Sequence, residues 1–208
     1  MNRILYLHGL ASGPSSSKAN YFRRPFEEAG MQFAVPQLDA GDFEHLTITG
    51  QLDVVEQAAA GGAVSLIGSS LGGYVAALFA GRQPAGVDRV VLLAPAFGFA
   101  RRWRERLGEE AVGRWRSTGR LELFHYAQNR PAHLGYQFLE DAALYPDYPD
   151  FAQPTLIFHG SHDDVVPPRY SEAFAFTHSN AQLEILDSGH ELTDQLPCLA
   201  SRIVDFLR

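Results

Sequence analysis

The chain has 208 residues, 46% of them apolar and 20% charged, which is material for one packed domain carrying at most an insertion and excludes a disordered or collagen-like chain. Seventeen cations against 24 anions leave a net charge of −7, which argues against a protein that binds nucleic acid through its phosphates. The longest apolar run, Val90 to Ala100, is broken by Pro95 and Gly98 and is too short to span a bilayer, and the lone Cys198 fits a reducing compartment. A soluble cytoplasmic protein without membrane or nucleic-acid partners is expected.

In chain order, Ile4–Leu7 reads as a first buried strand, followed by a Gly/Ser/Pro loop from Gly9 to Ser17 and a helix over Lys18–Ala29. Gln32–Val35 is a second strand, Thr47–Ala60 a helix, Ala63–Ile67 a third strand, Ser70–Arg82 a helix and Val87–Leu93 a fourth strand. Thr155–Phe158 and Leu183–Leu186 complete six strands, with helices over Pro168–Phe176 and Glu191–Leu207. This alternation predicts a parallel sheet covered by helices on both faces. Cys198, in the last helix, is expected to be buried.

Residues 97–153 break the rhythm. These 57 residues separate the fourth and fifth strands and hold 11 of the 24 aromatics. Trp103, Leu107, Ala111 and Trp115 recur every four residues, so a helical cap inserted into a single domain is expected. Trp103, Trp115 and Phe138 are its candidate pocket residues. Arg101 to Arg130 contains eight arginines and four acids, a local excess of +4, so the rest of the chain carries −11. Those arginines read first as the solvated face of a cap helix, and second as a site for an anionic part of a substrate.

Gly68-Ser69-Ser70-Leu71-Gly72 fits G-x-S-x-G between a predicted strand and a predicted helix. A serine on so sharp a turn needs small residues two before and two after it, and only Ser70 has glycines, Gly68 and Gly72, at both. Ser70 is therefore the candidate nucleophile. Its base should come last in the chain, where His190 follows the final strand. The acid that orients the base falls to Asp163 or Asp164, after the fifth strand, with Asp141 a third candidate; Asp187 and Asp194 read as solvated or capping residues. An oxyanion needs two N–H donors from one side, and the amides of Leu71 and Leu10 are the candidates. No residues have metal-ligand spacing, and no phosphate or dinucleotide fingerprint is present.

His8-Gly9, Gly68-x-Ser70-x-Gly72-Gly73, His159-Gly160-x-x-Asp163-x-Val165-Val166-Pro167 and Gly189-His190 together resemble the α/β-hydrolase superfamily. More narrowly, Leu5-Tyr6-Leu7-His8-Gly9, Ser15-Ser16-Ser17-Lys18-Ala19 and Leu66 to Tyr74 resemble the small bacterial YqiA/YcfP-like esterases. The resemblance implies a minimal six-stranded α/β-hydrolase fold and Asp163 as the acid. It also implies hydrolysis of a small ester or thioester by serine, without metal or organic cofactor. A lyase using the same three residues, or a binding protein that keeps the fold, are the rival readings, and the oligomeric state is not legible.

Overall fold

A computed structural model describes residues 2–208. Six strands form one parallel sheet: β1 (Arg3–Leu7), β2 (Gln32–Ala34), β3 (Val64–Ser69), β4 (Val87–Leu93), β7 (Thr155–Gly160) and β8 (Ala181–Leu186), in the order β2-β1-β3-β4-β7-β8. β3, β4 and β7 sit inside the sheet and are covered on both faces, which is why they read as continuous apolar runs. Alternate side chains feed two cores. Leu5, Leu7, Leu66 and Leu92 face α2 (Ile48–Ala59) and α3 (Leu71–Arg82). Ile4, Tyr6, Ile67 and Val91 face α1 (Ser17–Glu28) and α7 (Leu196–Leu207). α6 (Arg169–Thr177) links β7 to β8 and adds Phe174 to the first core.

Local chemistry sets the helix limits. Ser16 caps α1 by accepting a bond from the Ala19 amide, and Thr47 caps α2 through Gly50 at 2.9 Å. The last helix starts later than its apolar pattern predicts. Leu192 takes a left-handed conformation (φ 53°), and Pro197 sits in the first turn of α7, so residues 190–195 form a loop and a short 3-10 turn. Cys198 is exposed, contrary to expectation. The buried stripe of α7 runs through Leu196, Leu199, Ala200 and Ile203, and position 198 falls outside it.

The insertion between β4 and β7 is only partly helical. α4 (Phe99–Thr118) bends at Gly108, whose φ of 77° lies outside the helical region, and ends at Gly119. An antiparallel hairpin follows, β5 (Arg120–His125) with β6 (Arg130–Gly135), and then the short α5 (Gln137–Ala142). The hairpin turn rests on the β1–α1 loop, where the Tyr126 amide donates to the Ala11 carbonyl at 2.8 Å. Asp141 is bound elsewhere: its carboxylate accepts from the amide and hydroxyl of Thr49 at 2.9 and 2.5 Å, tying α5 to the start of α2. Among the described residues no helix is long and apolar enough to cross a membrane.

Candidate active site

Because the strands are parallel, the loops after β1, β3, β7 and β8 all open on one edge of the sheet, where such folds bind ligands. Each of these loops brings a residue singled out in the sequence.

β3 turns into α3 at Ser70, which holds φ 54° and ψ −116°. That conformation is strained for a residue with a Cβ, at a cost of about 1–3 kcal/mol, and the surroundings fix it. The Ser70 amide donates to Leu93 at 2.9 Å, and the Ser70 carbonyl accepts from Gly73, Tyr74 and Ala96 at 3.0, 3.2 and 2.9 Å. The flanking glycines are needed for close approach. A Cβ on Gly68 would collide with the carbonyl oxygen of Gly72, and a Cβ on Gly72 with those of Leu7 and His8. Ser69, the neighbouring serine, is the last residue of β3 and is buried.

The loops after β7 and β8 touch at the backbone. The Ser161 amide donates to Leu186 at 2.8 Å and the His162 amide to Ser188 at 3.0 Å. A Cβ on Gly160 would run into the carbonyls of Ser188 and Gly189. This contact sets His190 against Asp163, with Nδ1 2.7 Å from Oδ2, while His190 Nε2 lies 2.9 Å from Ser70 Oγ. Ser70, His190 and Asp163 thus form a continuous hydrogen-bonded line. Asp164, the adjacent acid, is exposed and takes no part in it.

Asp163 is surrounded by donors. Oδ1 accepts from the amides of Val165 and Val166 at 2.9 and 2.8 Å, and Oδ2 accepts from His190 and from His159 Nε2, the latter at 3.1 Å. Burial alone would raise this carboxyl, but the bonds from His159 and His190 outweigh it and hold Asp163 well below the usual carboxylate range. His159 opens the sequence motif, but its role as a partner of Asp163 is not legible there. Fully buried on β7, its Nε2 faces two acceptors, Asp163 and the Val166 carbonyl, so the ring proton sits there and Nδ1 accepts from Ser171 Oγ at 2.7 Å. Its position on a buried strand makes it look like any core residue.

Asp187 and Asp194 have other partners. Asp187 binds His162 at 2.8 Å, and Asp194 accepts from Ser188 Oγ, a bond that lowers its carboxyl. Lys18, the chain's only lysine, donates to the carbonyl and carboxylate of Glu191 at 2.6 and 3.1 Å, anchoring the segment after His190 to α1.

A cavity of about 940 Å³ opens over Ser70 and His190. Leu10 and Leu71 both line it. Leu71 is the first residue of α3, so its amide has no acceptor within the helix. The loop carrying Leu10 runs beside Ser70: a Cβ built on Gly9 would sit 3.5 Å from Ser70 Cβ, in ordinary van der Waals contact. Of the three aromatic pocket candidates only Trp103 lines the cavity. Trp115 and Phe138 are buried behind it, with ring centroids 5.7 and 5.9 Å from Trp103, and Trp115 Nε1 donates to the Leu134 carbonyl at 2.9 Å. They are core residues because the inner stripe of α4 packs onto α5 and the hairpin; the cavity wall comes instead from Phe99, Leu107, Leu121 and Leu123. Among the described residues no three His, Cys, Asp or Glu side chains gather as a metal site.

Residues 3–208 match the uncharacterised protein family UPF0227. The chain belongs to that family. No curated protein matches it. Among solved structures, this UPF0227 member resembles the mouse alpha/beta hydrolase domain-containing protein 10 at 19% identity and TM-score 0.83, covering 99% of this chain and 89% of that one. It resembles Est1E from Butyrivibrio proteoclasticus with ferulic acid bound, at 19% identity and TM-score 0.82, covering 100% and 88%. It also resembles a monoacylglycerol lipase from Paleococcus ferrophilus at 16% identity and TM-score 0.80, covering 99% and 93%. At these identities the likeness establishes the α/β-hydrolase fold, as the motifs implied.

Proposed function

We propose that this protein is a serine hydrolase that cleaves carboxylic esters of short to medium acyl groups through an acyl-enzyme. One observation carries the reading: the Ser70–His190–Asp163 line ends at a strained serine that opens into a cavity. Ser70 Oγ attacks the acyl carbonyl while His190 Nε2 takes its proton, and Asp163 holds the imidazole by its Nδ1–H and stabilises the imidazolium. The amides of Leu10 and Leu71 hold the tetrahedral oxyanion. As the intermediate collapses, His190 returns the proton to the departing alcohol. Water then attacks the acyl-enzyme, giving up its proton to His190, and the acid leaves with Ser70 restored.

In this reading residues 97–153 are the cap of a single hydrolase domain, and the apolar wall of Phe99, Trp103, Leu107, Leu121 and Leu123 receives the acyl group. The single cysteine favours a cytoplasmic location. Turnover of a series of p-nitrophenyl esters tests the proposal. Ser70→Ala and His190→Ala should each lose roughly 10⁴-fold or more in kcat, and the double variant should be little worse than either alone. Ser70→Ala retaining activity contradicts the assignment.

The thioester alternative has one observation in its favour: Arg102 and Arg106 of α4 line the cavity. Arg102, however, donates to the carbonyls of Val165 and Phe97, and burial lowers its guanidinium. Of the other arginines in the insertion, Arg101, Arg114 and Arg120 are in surface ion pairs with Asp147, Glu110 and Glu44.

A further inference from the structure

The cavity over Ser70 has two chemically different walls. The insertion supplies one, apolar apart from Arg102, whose guanidinium is bound to the Val165 and Phe97 carbonyls, and Arg106. The other comes from the β1–α1 loop and the segment after His190, and includes Ser12, Ser15, Ser17, Lys18, Glu191 and Thr193. Formal charge on this second wall cancels, because the Lys18 ammonium is bound to the Glu191 carboxylate and carbonyl. What remains available is hydroxyl groups. Ser16 Oγ is occupied as the α1 cap, but the hydroxyls of Ser12, half-buried, and of Ser15, Ser17 and Thr193, exposed, make no hydrogen bond to other described residues and are open to solvent or a ligand.

Stereochemistry assigns this wall to one half of the substrate. The departing oxygen must lie within reach of His190 Nε2, which returns its proton, and Glu191 and Thr193, which follow His190, line the same cavity, so this wall is taken as the alcohol side. The apolar wall excludes water around an acyl chain and offers nothing to an alcohol bearing hydroxyls.

We propose that the protein acts on esters whose leaving group is a neutral polyol, with glycerol the simplest case. This rests on the serine-hydrolase reading above and narrows it. Unpaired hydroxyls recognise other hydroxyls because each is at once donor and acceptor. A wall without net charge gives no advantage to an anionic or cationic leaving group, whose desolvation it could not offset.

The test compares 1-glyceryl butyrate with propyl butyrate, which has the same number of alcohol carbons and no free hydroxyl. Each hydrogen bond to a neutral hydroxyl is worth about two- to tenfold, so kcat/KM for the glyceryl ester should exceed that for the propyl ester by roughly tenfold or more with two such bonds. In the triple variant S12A/S15A/S17A, and separately in Thr193→Val, that ratio should fall towards one. The substituted hydroxyls bond to nothing in the protein, so both variants should fold, with propyl ester turnover as the internal reference. A ratio near one in the unaltered protein, or a ratio that the triple variant leaves unchanged, overturns the proposal. A higher rate with 1-butyryl-glycerol 3-phosphate than with the glyceryl ester also overturns it, in favour of an anionic leaving group. Turnover of none of these esters, while Ser70 still reacts with a fluorophosphonate, sinks the polyol inference alone. No turnover together with no adduct on Ser70 sinks the underlying hydrolase reading instead.

Discussion

At residue scale the proposed acid is the most instructive position. Asp163 and Asp164 are adjacent and chemically identical, and only their surroundings separate them: four N–H groups converge on Asp163, while Asp164 faces solvent. In Asp163→Asn the new NH₂ faces the N–H groups of His190 and His159, so His190, the proposed base, loses its acceptor and its fixed tautomer. A loss of roughly 10³- to 10⁴-fold in kcat is expected, while Asp164→Asn stays within a few-fold of the unaltered protein. A reversed order in steady-state kinetics would transfer the role to Asp164. The carboxylate is also linked to stability. Its folded-state pKa lies below its unfolded one, so the stabilisation is complete above about pH 4, the ordinary Asp value, and is lost as the pH falls towards the folded value. The difference in Tm between the unaltered protein and Asp163→Asn should therefore be largest near neutrality and shrink below about pH 4. A constant gap from pH 7 to pH 3 contradicts the donor-rich setting of this carboxylate. The motif spacing alone left the two acids open, and the family resemblance chose Asp163. His159 could not be assigned that way, because its partners Ser171 and Val166 lie on segments that only folding brings together.

At the scale of elements, the strands and helices of the sheet were legible because their periods are unambiguous, and the turn at Ser70 because sterics restrict it to so few residues. Gly72 and Gly113 make the contrast measurable. Gly72→Ala forces a methyl group into two carbonyl oxygens and should destabilise the fold by about 1–3 kcal/mol or more, read as a Tm lowered by at least several degrees. Gly113 lies inside α4 with open space around its Cβ position, so Gly113→Ala should instead stabilise by about 0.5–1 kcal/mol. Equal Tm values for the two variants would mean that close backbone packing does not hold the turn. The insertion was less legible. Leu121, Leu123 and His125 do alternate with Arg120, Glu122 and Phe124, but six residues of alternation beside a strong four-residue repeat do not announce a hairpin. The same repeat hides the bend at Gly108, and it cannot say which aromatics of the inner stripe reach the cavity and which are covered by α5 and β6.

Across the whole molecule, a segment of net charge +4 is joined to a remainder of −11, and the cavity lies where the two meet. Most of that positive charge is solvated or paired at the surface, where ion pairs are weak and screened. The account therefore predicts that KM for an acyl-CoA and KM for a neutral ester of equal acyl length change in parallel between low and high salt. A steep rise for the acyl-CoA alone would instead assign Arg102 and Arg106 to phosphate groups and favour the thioester reading. Beneath both readings lies the claim that four loops at one edge of a parallel sheet activate a single serine. The most direct measurement is the site of covalent labelling by a fluorophosphonate, located by peptide mass spectrometry in the folded protein. The account predicts one adduct, on Ser70, absent from Ser70→Ala and much slower in His190→Ala; an adduct on Ser69 or elsewhere, or none at all, would contradict it.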